Sequence, residues 1–174
     1  MARLGVSIQH GDFDLAAEVA ALRESDGGVG AVVTFIGTVR ELSDGARVSA
    51  MELEHYPAMT ESAIEAMMGE AAARFDIRAA RVVHRIGVLA AGEQIVLVAV
   101  ASAHRGTAFQ ACEFLIDYLK TRAPFWKKET TGSGATWVDA RVADDAALAR
   151  WGIAAGDLAA PLDHMAAPPG RRDR

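Results

Sequence analysis

Three short stretches of this 174-residue chain set cationic side chains beside apolar elements, the combination a site for an anionic small molecule requires. In Phe35-Ile36-Gly37-Thr38-Val39-Arg40 an apolar run ends in a glycine and then an arginine. The glycine offers close backbone approach, and the guanidinium can grip phosphate or carboxylate in bidentate fashion. In Ser102-Ala103-His104-Arg105-Gly106-Thr107 a strand gives way to a helix. Backbone N–H groups at a helix start favour an anion, and a histidine there can exchange a proton near neutral pH. In Lys120-Thr121-Arg122-Ala123-Pro124-Phe125-Trp126-Lys127-Lys128-Glu129 a lysine ends a helix and two more follow a pair of aromatics on a strand. Strand alternation sends Lys127 and Lys128 to opposite faces, so only one of them can share a pocket with Lys120. Lysines held near other cations lose protons more readily, which suits acid–base work.

Other chemistries are poorly provided for. The single cysteine, Cys112, excludes an internal disulfide and any multi-cysteine metal centre. It lies in register with Ala108, Leu115 and Leu119, which predicts a buried thiol of raised pKa and not a nucleophile. His10, His55, His84 and His164 show no metal-ligand spacing, so no metal and no cofactor are expected. The net charge of −5 argues against nucleic acid. Between His104 and Lys128, however, five cations face two carboxylates, a local basic focus in an acidic chain. There is no apolar run of membrane-spanning length and no signal-peptide layout at the start, so a cytoplasmic location is expected.

The elements that must position these residues follow from patterning. Asp12 or Asp14 caps a helix with Leu15, Val19 and Leu22 on one side. Val29 to Arg40 reads as a buried strand, 42–47 as a loop, and Val48 to Tyr56 as an alternating strand that Pro57 stops. Thr60 is expected to cap a helix with the stripe Ile64, Met67, Met68, Ala71 and Phe75. Arg81 to Leu89 and Gln94 to Ser102 are strands about a turn at Ala91-Gly92-Glu93, the second being the most apolar and central. A helix from Thr107 to Arg122 ends before Pro124. A hairpin joins Phe125–Thr130 to Ala135–Arg141 through Thr131-Gly132-Ser133-Gly134, and Asp144 to Trp151 reads as a last helix. The sum is one α+β domain over 1–151, with a mixed or antiparallel sheet, and an Ala/Pro-rich tail over 152–174 that is expected to be mobile.

At these segments the chain resembles the catalytic (large) subunits of molybdopterin synthase. The matching stretches are Gly30-Ala31-Val32-Val33-Thr34-Phe35 with Gly37 and Val39-Arg40, Leu53-Glu54-His55-Tyr56-Pro57-Ala58-Met59, Val83-His84-Arg85-Ile86-Gly87, Ser102-Ala103-His104-Arg105, and Asp117 through Glu129. They occur in the family's order within residues 5–151, and the run Lys-Thr-Arg-Ala-Pro-Phe-Trp-Lys is highly specific.

The resemblance implies an α/β hammerhead fold with a small additional antiparallel subdomain. It implies a homodimer in which each copy binds one small ubiquitin-like sulfur-carrier subunit, giving a heterotetramer. The carrier's C-terminal Gly-Gly thiocarboxylate would enter a pocket, and two sulfur transfers would convert cyclic pyranopterin monophosphate to molybdopterin. Carried onto this chain, Lys120 and Lys127 are the catalytic positions, and Arg40, His104 and Arg105 hold anionic groups. Phe35, Thr38, Val39, Lys128, Glu129 and Arg141 fall in or beside the pocket. A sulfur transferase without a usable cysteine is then intelligible, because sulfur arrives already activated on the partner. Two other readings use the same residues: an anion-binding module without chemistry, and a scaffold whose aromatics near Pro124 hold a peptide tail.

Overall fold

The most apolar stretch of the chain becomes the middle of a sheet. In the computed structural model, which describes residues 1–24, 27–43, 45–138 and 149–152, β7 (Gln94–Ser102) pairs antiparallel with both β5 (Ile77–Arg85) and β2 (Ala31–Thr38). The strand β1 (Arg3–Gln9) adds to the far side of β5 in parallel, completing a four-stranded mixed sheet in the order β1-β5-β7-β2. Both faces of β7 are covered, hence its lack of polar alternation. Val96, Val98 and Val100 face the helices α2 (Pro57–Arg74) and α3 (Arg105–Arg122). Leu97, Ala99 and Ala101 face the short helix α1 (Leu15–Arg23), together with Phe13 and Leu22. Burying each valine contributes roughly 1.5–3 kcal/mol.

The remaining strands build a second, wholly antiparallel sheet. Its spine is β4 (Ala46–His55), which pairs along one edge with β3 (Leu42–Ser43) and β6 (Gly87–Ala90), and along the other with β8 (Phe125–Thr131). The hairpin partner β9 (Gly134–Val138) closes that side. Val39, Val48, Leu53 and Leu89 form its small core. This is the expected α+β architecture with an added antiparallel unit.

Several local expectations shift. β1 has no counterpart among the elements expected from sequence patterning. Segment 42–47 contains the two-residue strand β3 and the start of β4. Helix α2 begins at Pro57 and not after Thr60. Proline is well placed there, since the first turn has no intrahelical use for its missing N–H. Tyr56 holds the N-cap position, and the Thr60 hydroxyl instead donates to the Tyr56 carbonyl at 2.8 Å, inside the helix. Helix α3 starts two residues early, at Arg105. For α1, Asp14 is the cap, accepting from the amides of Ala16 and Ala17. The single strand expected over 81–89 is two strands in two sheets, divided at Ile86, with Gly87 opening the second at φ +83°. The helix expected over 144–151 and Arg141 at the end of the hairpin lie largely outside the described residues, as does nearly all of the tail.

Candidate active site

Helix α3 distributes the cationic residues. It leaves the end of β7 at His104 and returns over the sheet, with the Cys112 thiol against the Val98 carbonyl at mid-strand (3.9 Å). Its C-terminal turn therefore lies above the start of β7 and, because β2 runs antiparallel, above the end of β2. Thr38 and Arg40 sit at that same end. Fifteen residues separate Arg105 from Lys120 along the helix, a distance of about 22 Å at 1.5 Å per residue. The expected functional residues thus form two groups within one chain. Arg40, Lys120 and Lys127 are at one end of the sheet, and His104 and Arg105 are at the other.

The first group is roofed by the inner face of the second sheet. Lys127 lies opposite Leu53 in register, and Leu53 is 1 % exposed in the core that also holds Val39. Lys127 and Glu129 therefore face the first sheet. Lys128 faces outward, 3.6 Å from Glu52 and 5.5 Å over the Trp137 ring. Of the two adjacent lysines, Lys127 is the one on the side of Lys120.

Below Lys127, the end of the first sheet presents a row in register across four strands: Ile8, His84, Val96 and Gly37. Gly37 was expected to admit a ligand to the backbone, but its missing side chain makes room for neighbours. A Cβ there would stand 2.8 Å from Val96 Cγ1 and 3.5 Å from the Phe35 ring. Phe35 packs partly buried against the main core. Val39 is a core residue, 2 % exposed. Its amide donates to the Glu93 carbonyl (2.9 Å), and its carbonyl accepts from Gly92 (2.8 Å). Its part is to hold the turn that carries exposed Thr38 and Arg40 on either side. That turn is braced by buried Arg85, whose guanidinium donates to the Glu93 carboxylate (3.1 Å) and the Gln94 carbonyl (3.0 Å). A hydrogen bond from the Ala90 amide, followed by those from Arg85, holds the Glu93 carboxyl below its ordinary range.

The second group surrounds a recess of about 440 Å³ lined by Gly30, Ala31, Ala103, His104, Arg105 and Gly106. His104 is the N-cap of α3 without a side-chain capping bond, so its exposed ring is available to the recess. Gly30, in the quoted motif but given no role from sequence, shapes this end. A Cβ on it would stand 2.3 Å from the Ala103 carbonyl oxygen. Only glycine lets β2 pass this close to the loop that presents His104.

Cys112 is buried, its thiol pushed up to about 11 by that burial. Among the described residues, no group of three or more His, Cys, Asp and Glu side chains is placed to hold a metal ion, and no helix is long and apolar enough to cross a membrane.

The family model described as "MoaE protein" matches residues 8–122. The "Molybdopterin synthase catalytic subunit" of Ralstonia nicotianae is 59% identical over 155 residues, covering 89% of this chain and 88% of the relative. That of Pseudomonas aeruginosa is 50% identical over 148 residues, covering 85% of this chain and 99% of the relative. Among solved structures, the "Molybdopterin biosynthesis MoaE protein" from Burkholderia ambifaria superposes with a TM-score of 0.75 at 57% identity, over 88% of this chain and all (100%) of that one.

Proposed function

The chain belongs to the MoaE family of molybdopterin synthase catalytic subunits, and from that premise we propose that it converts cyclic pyranopterin monophosphate to molybdopterin, taking sulfur from the C-terminal thiocarboxylate of a small ubiquitin-like carrier subunit. The observation that supports this reading is the grouping of Arg40, Lys120 and Lys127 where the inner face of the second sheet meets the C-terminal end of α3. In each of the two transfers, the carrier's thiocarboxylate sulfur bonds to a substrate carbon as a carbon–oxygen bond of the substrate breaks, and water then cleaves the carrier's carbon–sulfur bond, releasing the carrier as a carboxylate. The site must stabilise the negative charge that develops meanwhile. Lys120 contacts the carbonyl–sulfur centre and exchanges a proton there. Lys127 is the second electrostatic or acid–base group, and Arg40 binds substrate oxygens. Phe35, Thr38 and Glu129 border this site, and the family resemblance adds Arg141, which lies outside the described residues. Lys128, on the outer face, contributes through the strand and its pair with Glu52. Each charge-assisted hydrogen bond is worth roughly 1.5–3 kcal/mol, so loss of one slows turnover about 10–100-fold.

The separation of about 22 Å along α3 bears on where the substrate phosphate goes. His104 and Arg105 are too far from Lys120 of the same chain to hold the other end of one small substrate. In a homodimer, a second copy brings its His104 and Arg105 to the Lys120 end, and the site is complete only across two copies.

The test is a reconstituted assay containing the protein, a thiocarboxylated carrier and cyclic pyranopterin monophosphate, with product read as a fluorescent oxidised pterin. Lys120→Ala should nearly abolish product without altering the fold, and near-normal transfer would remove the assignment. Lys120→Arg keeps the charge but not the exchangeable proton, and should remain impaired. Mixing Lys120→Ala with His104→Ala dimers and letting them exchange should restore up to about a quarter of wild-type turnover, since random pairing in a two-fold dimer gives half heterodimers with one intact site each. No recovery after confirmed exchange would mean that each chain holds its own complete site.

A further inference from the structure

The row beneath Lys127 contains a histidine that the proposed reaction has not used. His84 is 5 % exposed at the end of β5. Its ring lies flat against Phe125, with centroids 3.7 Å apart and planes at 14°. Phe125 is also stacked by His55, opposite it on β4, at 6.3 Å. His84 Nδ1 lies 2.8 Å from the Arg85 carbonyl oxygen. A carbonyl oxygen only accepts, so Nδ1 carries the proton. In a neutral ring this leaves Nε2 with a free lone pair.

Resting on the reading of Lys127 as part of the reaction centre, we propose that His84 is a positioning residue for that lysine. Its imidazole, fixed by the Arg85 carbonyl and the Phe125 ring, offers Nε2 as a permanent acceptor to the Lys127 ammonium. Phe125 stands two residues before Lys127 on the same face of β8, so the stack also sets the height of that strand above the first sheet.

The surrounding charges agree with a neutral ring. The His84 pKa is lowered to about 4, chiefly by burial; the bond to Arg85 opposes this, and Lys127 and His55 add to the lowering. His55 is itself lowered by burial, with Glu61 on α2 acting to raise it and His10 after β1 acting to lower it. Arg85, on the adjacent strand position, points the other way toward Glu93 and Asp12. No carboxylate among the groups acting on His84 competes for its proton. A histidine that never ionises under working conditions is an unusual neighbour for a lysine, and a useful one: it accepts a hydrogen bond without adding a second positive charge.

The experiment uses the full chain labelled with 15N at histidine. His84 should keep the Nδ1–H tautomer from pH 5 to 9, and its Nε2 resonance should move on Lys127→Met. A proton on Nε2 in the wild type, or an Nε2 resonance indifferent to Lys127→Met, overturns the proposal. In the reconstituted assay, His84→Phe keeps the stack and loses the acceptor. It should lower kcat about 10-fold with KM for the pterin within about twofold. His84→Gln, which keeps an acceptor at the reach of Nε2, should recover most of that loss. Equal losses in both variants, tracking thermal stability, would reduce His84 to packing. If Lys127→Met itself turns over normally, the reaction-centre reading falls while the resonance result still stands on its own.

Discussion

Replacing Gly30 by alanine tests whether the path of β2 controls the His104 end of the site. A Cβ at this position would lie 2.3 Å from the Ala103 carbonyl oxygen, 3.3 Å from its carbon and 3.8 Å from its Cα. An ordinary close carbon–oxygen contact is about 3.4 Å, so the two segments must part by about 1 Å. Both sides of the contact are backbone, so no side-chain tip can swing away. The parting also stretches the bond from the Gly30 amide to the Ser102 carbonyl, now 3.0 Å. Overpacking of this kind costs about 1–3 kcal/mol, and a weakened backbone hydrogen bond adds up to about 1 kcal/mol. Gly30→Ala should therefore lose about 1–4 kcal/mol in urea denaturation with an unchanged m-value. Ala103 immediately precedes His104 and Arg105, so the same displacement carries their side chains with it. Misplacement by about 1 Å can cost about 100-fold in rate, and turnover of the folded variant should fall toward that limit. A Gly30→Ala protein with wild-type stability and turnover would refute the steric argument. A destabilised protein with normal turnover would sever only the link to the site.

Gly69→Ala provides the opposite case: it is exposed within α2 and has nothing within 4 Å of the added methyl, so it should stabilise the protein by up to about 1 kcal/mol in the same denaturation experiment. Cys112, with its thiol raised to about 11, should resist alkylation at pH 8 until the protein unfolds, and Cys112→Ala should keep its turnover. His84, lowered to about 4, gives an acid-labile contribution to stability. The folded state favours its neutral form, so the contribution is complete above about pH 6.5 and is lost as pH falls toward 4, roughly 3 kcal/mol in all. His84→Gln should flatten that part of the stability–pH curve, and an unchanged slope would show that other groups produce it.

The parts of the fold legible in the residues are those whose neighbours in sequence are also neighbours in space. The apolar run of β7 announced a strand covered on both faces, and simple alternation separated Lys127 from Lys128. Leu4, Val6 and Ile8 alternate too, yet none of them is fully buried, and the burial they have depends on α2 and β5, far along the chain. The bend at Gly87 was hidden for a related reason. Nothing local distinguishes one long strand from two that enter different sheets; the cause is a positive φ and the close approach of His10, whose Nδ1 would stand 2.8 Å from a Cβ at this glycine. The division of the cationic residues into two groups needed only the length of α3, but a list of residues that resemble one family site conceals distance. Gly30 gave no signal of its own, since the oxygen it makes room for belongs to a residue more than seventy positions away.

The pairing of β4 with β8 has a further consequence during synthesis. Residues 46–55 must wait for residues 125–131 before that edge of β4 is covered. At about 5–20 residues per second, the gap of some seventy residues lasts about 4–15 seconds, during which an extended segment can recruit the wrong strand. Glu52 and Glu54 are suited to that interval. Their like charges make β4 a poor template for another copy of itself, and the cations of β8, Lys128 opposite Glu52 among them, make it a good one for its own chain. Glu52 thus acts before its partner exists: its charge disfavours pairing with another copy, and the ion pair with Lys128 forms only once residues 125–131 have emerged.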